Sequence, residues 1–522
     1  MIRIGLIQRR PGDVVAGRAT ATCGRIHDFP RWFLGLLMLC TLVASASAGP
    51  WYDERIQLRL VPGADIADIN AEYGTATLDL LPPLFLVSIP DGVPQEQILI
   101  GLRNDARVEW AEPAYLDETP EGTRQMIVII VGGTVTEYQD QDVLTRIHLD
   151  DILDHTTGSG VVMAVLDTGV DPYHPALYGS LLEDGIDFVD DDLDPSDSGN
   201  GLDDDGDGAI DEGRGHGTMV AGIAHLVAPD AQILPVRILD DEGRGDSFDV
   251  AKGIVYAVDH GAQVINMSFG LPLTCETIAF GVEYAAAAGV TLVSAAGNDG
   301  VEFPPYYPAS DPAVLSVASV DSSDVKSTFS NYHPTVALSA PGDGILAPFP
   351  GGQYAVGAGT SFSAPFVSGQ AALVRSGLKA FDETDLDPVI RKGVVDIDHV
   401  PGNEPFAGKL GSGRFDGLET WLAIAATADV PEPGLNASAW RAQPNPSSGT
   451  QPVLVRARDG ETGRSGVVLD ISGRLVARLS GSRSTFGWDG RDLDGRPAPA
   501  GFYQVRIETS SGWETIPLLR TR

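Results

Sequence analysis

The sequence predicts an α/β chain built on a parallel sheet with helices on both faces, preceded by a small α+β unit and followed by a C-terminal β-sandwich. Three observations carry this. Between about residues 125 and 425, continuous apolar runs such as VVMAVLD (161–167), QILPVRIL (232–239), QVINMSFG (263–270), VTLVSAAGN (290–298) and AVLSVASV (313–320) alternate with helical patterns such as FDVAKGIVYAVDHG (248–261) and IAFGVEYAAAAG (278–289). A strand that is apolar along its whole length is buried on both faces, as in a parallel sheet covered by helices. Before this region, residues 55–115 mix strand-like runs (RIQLRLV, LFLVSIP, RVEWAE) with helical ones (DIADINAEYG, QEQILIGLRND). After it, beyond the Pro-containing junction DVPEPGLNAS (429–438), short alternating strands (PVLVRAR, GVVLDI, RLVARL, FYQVRIET) are separated by Gly and Asp turns, the rhythm of a small sandwich.

At 522 residues the chain is too long for a single core. The boundaries read as an export region at 1–48, an α+β domain at 49–124, the large α/β domain at 125–425, a linker at 426–440 and the sandwich at 441–522. The export reading rests on basic residues up to Arg31, the apolar run WFLGLLMLCTLV (32–43), and Ala46-Ser47-Ala48 before Gly49. That run is too short to span a bilayer, which needs about 20 residues. A cleaved signal is therefore expected, with no integral membrane anchor after its removal and a location outside the cell or on its surface. Of the three cysteines, Cys23 and Cys40 fall in or before this segment, leaving Cys275 as a single thiol without a disulfide partner. The net charge of −37, from 35 basic and 72 acidic residues, argues against nucleic acid or anionic lipid as partners, since both require clustered Lys and Arg.

In an open parallel sheet, reactive groups belong at the carboxyl ends of strands and in the loops that follow. Asp167 ends one strand run, His216 in GHGTMVAGI opens a helical run, and Ser361 in GTSFSAPFVSG opens another. A serine hydroxyl is a weak nucleophile until an imidazole removes its proton, and a carboxylate fixes the tautomer of that imidazole. Asn298 in SAAGNDG supplies a side-chain amide able to donate, with the backbone amide of Ser361, to a developing oxyanion.

Taken in order, AVLDTGVD, GHGTMVAGI, INMSFG, AAGND and GTSFSAPFVSG resemble the signature segments of subtilisin-like serine proteases, over about residues 150–380. The resemblance implies Asp167 as orienting carboxylate, His216 as general base and then acid, Ser361 as nucleophile and Asn298 as oxyanion donor. It also implies that protein or peptide substrate lies extended between two backbone edges, Gly243-Arg244-Gly245 and Ser268-Phe269-Gly270. Main-chain pairing reads shape more than sequence, so broad endopeptidase specificity is expected. A selective processing protease, and a catalytically silent exported binding or adhesion protein, are the alternatives. Met219 stands where many relatives carry histidine, at a position outside the triad. The unit ending ARVEWAEPAY resembles the propeptides of these proteases, which implies an intramolecular inhibitor cut between Tyr115 and Met126. The tail resembles the immunoglobulin-like domain of flagellar hook-capping proteins.

From Glu183 to Glu212 there are fourteen carboxylates and no Lys or Arg. Asp203, Asp205, Asp207 and Gly208 copy the start of a calcium loop, with hard oxygen ligands on alternate residues, and Asp211 follows. The twelfth position is Arg214 rather than glutamate, so the full EF-hand pattern is absent. Similar loops in subtilisin-like proteases imply a structural calcium held by Asp203, Asp205, Asp207 and Asp211. His216 is not expected among the ligands, because calcium takes oxygen donors.

Overall fold

The computed structural model describes residues 51–119, 128–204, 206, 208–378, 386–427, 440–443, 453–457, 463–470, 474–482, 484–493, 495–499, 501–509 and 513–520. The signal expected at 1–48, most of the linker and the segment 120–127 lie outside these residues, as do Asp205 and Asp207. No described helix is long and apolar enough to cross a membrane.

The N-terminal domain runs β1 (Trp51–Leu60), α1 (Ile66–Tyr73), β2 (Ala76–Leu81), β3 (Leu84–Ser88), α2 (Gln95–Arg103) and β4 (Val108–Glu118). Asp65 caps α1 by accepting from the Ala67 amide at 2.9 Å, and Gly74 ends it in the left-handed region at φ 70°. Both helices turn apolar residues, among them Ile69, Ile98 and Leu102, onto the sheet, where Ile56, Leu58 and Val87 complete a core.

The large domain opens with β5 (Ile129–Ile130) and three short helices, α3 (Val135–Gln139), α4 (Asp142–Arg146) and α5 (Leu149–Leu153). Thr134 and Glu137 form a reciprocal capping box at α3. There follow β6 (Val162–Asp167), β7 (Ile186–Asp187), α6 (His216–Val227), β8 (Gln232–Arg237), β9 (Arg244–Asp246), α7 (Ser247–Asp259), β10 (Val264–Met267), α8 (Glu276–Ala287), β11 (Thr291–Ala295), β12 (Val314–Val320), β13 (Val336–Pro341), β14 (Asp343–Phe349), β15 (Gln353–Ala358), α9 (Thr360–Leu378), α10 (Asp387–Ile390), β16 (Val394–Val395), β17 (Arg414–Phe415) and α11 (Gly417–Thr427). The main sheet has nine strands in the order β16-β17-β13-β12-β11-β10-β6-β8-β7. Its pairs from β13 to β7 are all parallel.

Alternate residues of the sheet feed two cores. Met163, Val165, Ile233 and Val293 pack with α6 and α9 on one face. Ala164, Leu166, Leu234 and Ile265 pack with α7 and α8 on the other. This is the doubly covered sheet that the apolar runs require, and it explains why those runs do not alternate with polar residues.

Glycine sets how closely the two central helices approach. A Cβ at Gly369 of α9 would lie 2.5 Å from Val227 Cβ of α6. His216, the first residue of α6, and Ser361, the second of α9, lie at neighbouring helix starts, with the Phe362 ring 5.7 Å from the His216 ring.

The tail forms β18 (Trp440–Gln443), β19 (Val453–Ala457), β20 (Gly463–Asp470), β21 (Leu475–Arg478), β22 (Ser480–Ser482), β23 (Thr485–Trp488), β24 (Gly501–Thr509) and β25 (Trp513–Arg520). They make two four-stranded antiparallel sheets, β18-β19-β23-β22 and β21-β20-β24-β25, around a core that includes Val455, Val468, Trp488, Val505 and Leu518.

Gly369→Ala is expected to lower stability by about 1–3 kcal/mol through overpacking. The measurement is the thermal midpoint of the large domain by calorimetry.

Candidate active site

Asp167 is the last residue of β6 and is fully buried. Its Oδ1 accepts the Thr168 amide at 2.8 Å and faces His216 Nδ1 at 2.6 Å. With the carboxylate acting as acceptor, the Nδ1 proton is fixed and Nε2 is left as the basic nitrogen. His216 is the first residue of α6, entered through Gly215 at φ 93°. A Cβ on Gly215 would lie 2.1 Å from the Phe349 ring, and one on Gly217 would lie 2.1 Å from the Gly169 carbonyl. The GHG sequence is thus a requirement of close approach between the start of α6 and the end of β6.

The histidine turn has an anchor that sequence reading did not single out. Asp197, 5% exposed, accepts from the Gly215 amide at 2.8 Å, the Thr218 amide at 3.1 Å and the Thr218 hydroxyl at 2.6 Å. Burial pushes its carboxyl up to about 6, opposed by those three bonds. In the sequence Asp197 is one of the fourteen acidic residues, and its separation from the solvent-facing members is set by the path of the loop. The available signal was its setting, Pro195-Ser196-Asp197-Ser198, outside the regular Asp-x-Asp spacing.

Ser361 lies in the first turn of α9, fully buried, with Oγ 3.2 Å from the Ser268 carbonyl. Pro365 was expected near the first turn but is the sixth residue of α9, past the four amides that lack intrahelical acceptors; the Ser361 carbonyl that its N–H would have met accepts from the Ser268 hydroxyl instead. The Ser268 hydroxyl donates to the Ser361 carbonyl at 2.9 Å and accepts from Asn266 Nδ2 at 2.9 Å. Ser368 Oγ donates in turn to Asn266 Oδ1 at 2.8 Å, so β10 and α9 are tied by a buried polar chain. The Phe362 ring lies 5.7 Å from the His216 ring and covers one side of it.

Asn298 stands three residues beyond the end of β11. Its Oδ1 accepts both the Thr360 amide and the Thr360 hydroxyl at 2.9 Å. Because the Thr360 amide can only donate, the side-chain oxygen is assigned to that side and the NH₂ end becomes the donor end. Asp299 accepts from the Tyr306 hydroxyl at 2.8 Å.

The two backbone edges named from sequence lie against a strand of the chain itself. The end of β4 pairs antiparallel with β9, Leu116 opposite Asp246, Asp117 opposite Gly245 and Glu118 opposite Arg244. The Thr119 amide donates to the Gly243 carbonyl at 3.0 Å, and on the other side the Gly270 amide donates to the Glu118 carbonyl at 3.1 Å. A Cβ on Gly245 would lie 2.3 Å from the Ile238 carbonyl, and one on Gly270 would lie 2.8 Å from the Tyr307 carbonyl, so both edges need glycine. Arg244 reaches Glu118 at 3.5 Å. Farther back, Glu112 of β4 accepts the Thr277 amide at 2.9 Å, the Glu276 amide at 3.2 Å and the Thr277 hydroxyl at 3.0 Å. The N-terminal domain thereby supplies the cap that α8 lacks from its own Cys275. Cys275 is fully buried, 3.4 Å from Glu112 and 3.6 Å from Gln57, and it packs at this interface.

In the acidic loop, Asp203 accepts the Gly206 amide at 2.7 Å and the Gly208 amide at 3.1 Å, and Asp211 accepts the Asn200 and Gly201 amides. The loop leans on the approach to β9: the Asn200 amide donates to Asp241 at 2.7 Å, the Asp204 amide to Glu242 at 3.1 Å and the Gly213 amide to the Asp241 carbonyl at 2.8 Å. Among the described residues no group of three or more His, Cys, Asp or Glu side chains is placed to hold a metal ion.

Residues 158–400 match the model of the subtilase family. Thermitase of Thermoactinomyces vulgaris is 41% identical over 233 residues, which is 43% of this chain and 77% of that protein. The chain belongs to the subtilase family. A thermophilic serine proteinase of Bacillus sp. (strain AK1) is 39% identical over 295 residues, 54% of this chain, and the match spans 66% of that proteinase. The crystal structure of fervidolysin from Fervidobacterium pennivorans, described as a keratinolytic enzyme related to subtilisin, superimposes with a TM-score of 0.58 at 21% identity, over 90% of this chain and 74% of that one. That likeness shows the subtilisin-like fold. Residues 446–512 of this subtilase match the FlgD Ig-like domain, in agreement with the two-sheet tail.

Asp197→Ala is expected to cost about 1–3 kcal/mol by leaving three donors unpaired. It should appear as a lower thermal midpoint with faster amide exchange at Gly215 and Thr218.

Proposed function

We propose that this chain is an exported serine endopeptidase that hydrolyses peptide bonds through Ser361, His216 and Asp167, held inactive by its own N-terminal domain. The observation that carries the reading is the placement of a strand of the chain between Gly243–Gly245 and Gly270, bonded by main chain on both sides, beside a buried Asp–His pair and a serine. An extended peptide paired in this way has its side chains read in alternation and its backbone held regardless of sequence, which supports broad specificity.

In the reaction, Ser361 Oγ attacks the carbonyl carbon while its proton passes to His216 Nε2. Asp167 supports the resulting imidazolium through Nδ1. The carbonyl oxygen becomes an oxyanion, to which Asn298 Nδ2 and the Ser361 amide donate. His216 then protonates the leaving amine and the C–N bond breaks, leaving an ester on Ser361. A water molecule, deprotonated by the same imidazole, releases the acid and restores the hydroxyl.

We assign a structural calcium to the acidic loop, with Asp203, Asp205, Asp207 and Asp211 as the expected ligands. Three features of the described residues support a cation there. Burial first, and then the nearby Asp211 carboxyl, hold the Asp241 carboxyl above its usual range. Glu242 Oε2 is buried with no hydrogen-bond partner. The donor set is all hard oxygen, as calcium requires. Because the loop supports Asp241 and Glu242, an ion there would stiffen the turn leading into the Gly243 edge.

Ser361→Ala is expected to abolish cleavage of unfolded protein and labelling by an active-site serine reagent; residual cleavage would overturn the reading. Asn298→Ala should lower kcat by about 100- to 1000-fold, or roughly 2.7–4 kcal/mol, a magnitude known from subtilisin itself. KM should change little, and steady-state kinetics on a peptide substrate separates the two. Strong chelation should lower the thermal midpoint, and an unchanged midpoint would exclude the structural calcium. Cleavage sites mapped in a mixed peptide pool test the breadth of specificity.

A further inference from the structure

The strand lodged in the cleft carries one side chain that its docking does not explain. Asp117 lies opposite Gly245 in the β4–β9 ladder, is 0% exposed, and neither of its carboxyl oxygens has a hydrogen-bond partner. Glu112, five residues earlier on the same strand, is fully engaged with the start of α8. An ionised carboxylate buried without a partner is strongly unfavourable, whereas a neutral carboxyl in the same place loses far less.

The groups facing Asp117 have one sign. They are Asp246 at the end of β9, Glu118 and Glu112 on its own strand, and the Cys275 thiol before α8. The basic groups of the interface reach other carboxylates: Arg55 bonds Asp246 at 3.1 Å and Arg244 reaches Glu118 at 3.5 Å. Burial first, and then the charges of Asp246, Glu118 and Glu112, hold the Asp117 carboxyl well above its usual range.

We propose that Asp117 is a proton-operated latch: the N-terminal domain closes the cleft while this carboxyl is neutral, and ionisation of the carboxyl drives the strand out. The latch rests on the reading that residues 116–119 occupy the place of substrate. It would keep the cleft shut at acidic pH and open it as pH rises, without any change in the catalytic residues.

The direction follows from proton linkage. The closed state holds the Asp117 proton more tightly than the open state, where the carboxyl is solvated and titrates near its ordinary value of about 3.9. Closure is therefore strongest below that value. It weakens by about tenfold per pH unit as pH rises toward the closed-state value, then levels off. Glu112 and Asp246 are also raised by burial and act in the same direction, so the contribution of Asp117 must be isolated by substitution.

The test uses the full chain carrying Ser361→Ala, in which no self-cleavage interferes. Hydrogen exchange is followed from pH 5 to 8 at the amides of Tyr115, Thr119 and Gly270, which donate across the interface. Rates are divided by the intrinsic exchange rate at each pH. With Asp117 present, protection should fall as pH rises, approaching the tenfold per unit given above. Asp117→Asn and Asp117→Leu should each remain protected, with a much flatter dependence. Protection that is independent of pH with Asp117 present overturns the latch, as does a dependence that persists in both variants. Flattening by Glu112→Gln alone assigns the effect to Glu112 and overturns it too. Loss of protection at every pH in both variants would make Asp117 an ordinary docking contact, again against the proposal. Absence of protection at every pH in the chain with Asp117 would instead show that the strand does not occupy the cleft, a failure of the underlying reading.

Discussion

The contact on which the molecule depends is the 2.6 Å approach of His216 Nδ1 to Asp167, made in a site from which water is excluded. It requires the last residue of a buried strand and the first residue of a helix to meet at one end of the sheet. The chain leaves β6 at Asp167 and, after β7 and the acidic loop, enters α6 at His216 on the face of the sheet shared with α9, but the final approach is set by Gly215 and Gly217, where any side chain would strike Phe349 or the Gly169 carbonyl. The same reasoning applies to the second helix, which brings Ser361 in against Ser268 and lies against α6 through Gly369. Catalytic geometry in this fold is a packing result before it is an electrostatic one.

The N-terminal domain uses the cleft as an open sheet edge. Its β4 extends a sheet of its own onto β9, so that β2-β3-β1-β4-β9 forms one five-stranded unit spanning two domains. Main-chain pairing at the cleft is joined by Glu112 at the start of α8 and by the Arg55–Asp246 pair at the start of α7. Two helix N-termini are thus met by carboxylates at the interface, Glu112 from the N-terminal domain and Asp246 as the cap of α7 itself. These contacts explain tight docking, and the uncompensated Asp117 among them is the feature that resists it.

The acidic loop separates into parts with different duties. Asp197 turns inward and holds the histidine turn, whereas Asp203 and Asp211 organise the loop backbone and lean it on Asp241 and Glu242. One face of the insertion therefore supports His216 and the other supports the approach to the Gly243 edge. Fourteen like charges in thirty residues are tolerable only if some are buried as hydrogen-bond acceptors or met by cations, and the described residues show the first of these.

The sequence by itself determined the α/β class, through unbroken apolar strands that only a doubly covered sheet can hide. It also placed Asp167, His216, Asn298 and Ser361 at the strand ends and helix starts where such sheets gather reactive groups. Local pattern suffices for these features because burial on two faces and glycine at close approaches leave a direct mark on residue type. The tertiary structure alone decided that Asp197 is an anchor, that Cys275 packs between domains, that Asp299 is engaged by Tyr306, and that Asp117 is buried without a partner. An aspartate reads alike in sequence whether it faces water, an amide or a protein wall. The difference lies in desolvation and in partners distant along the chain, and both arise only when the elements pack.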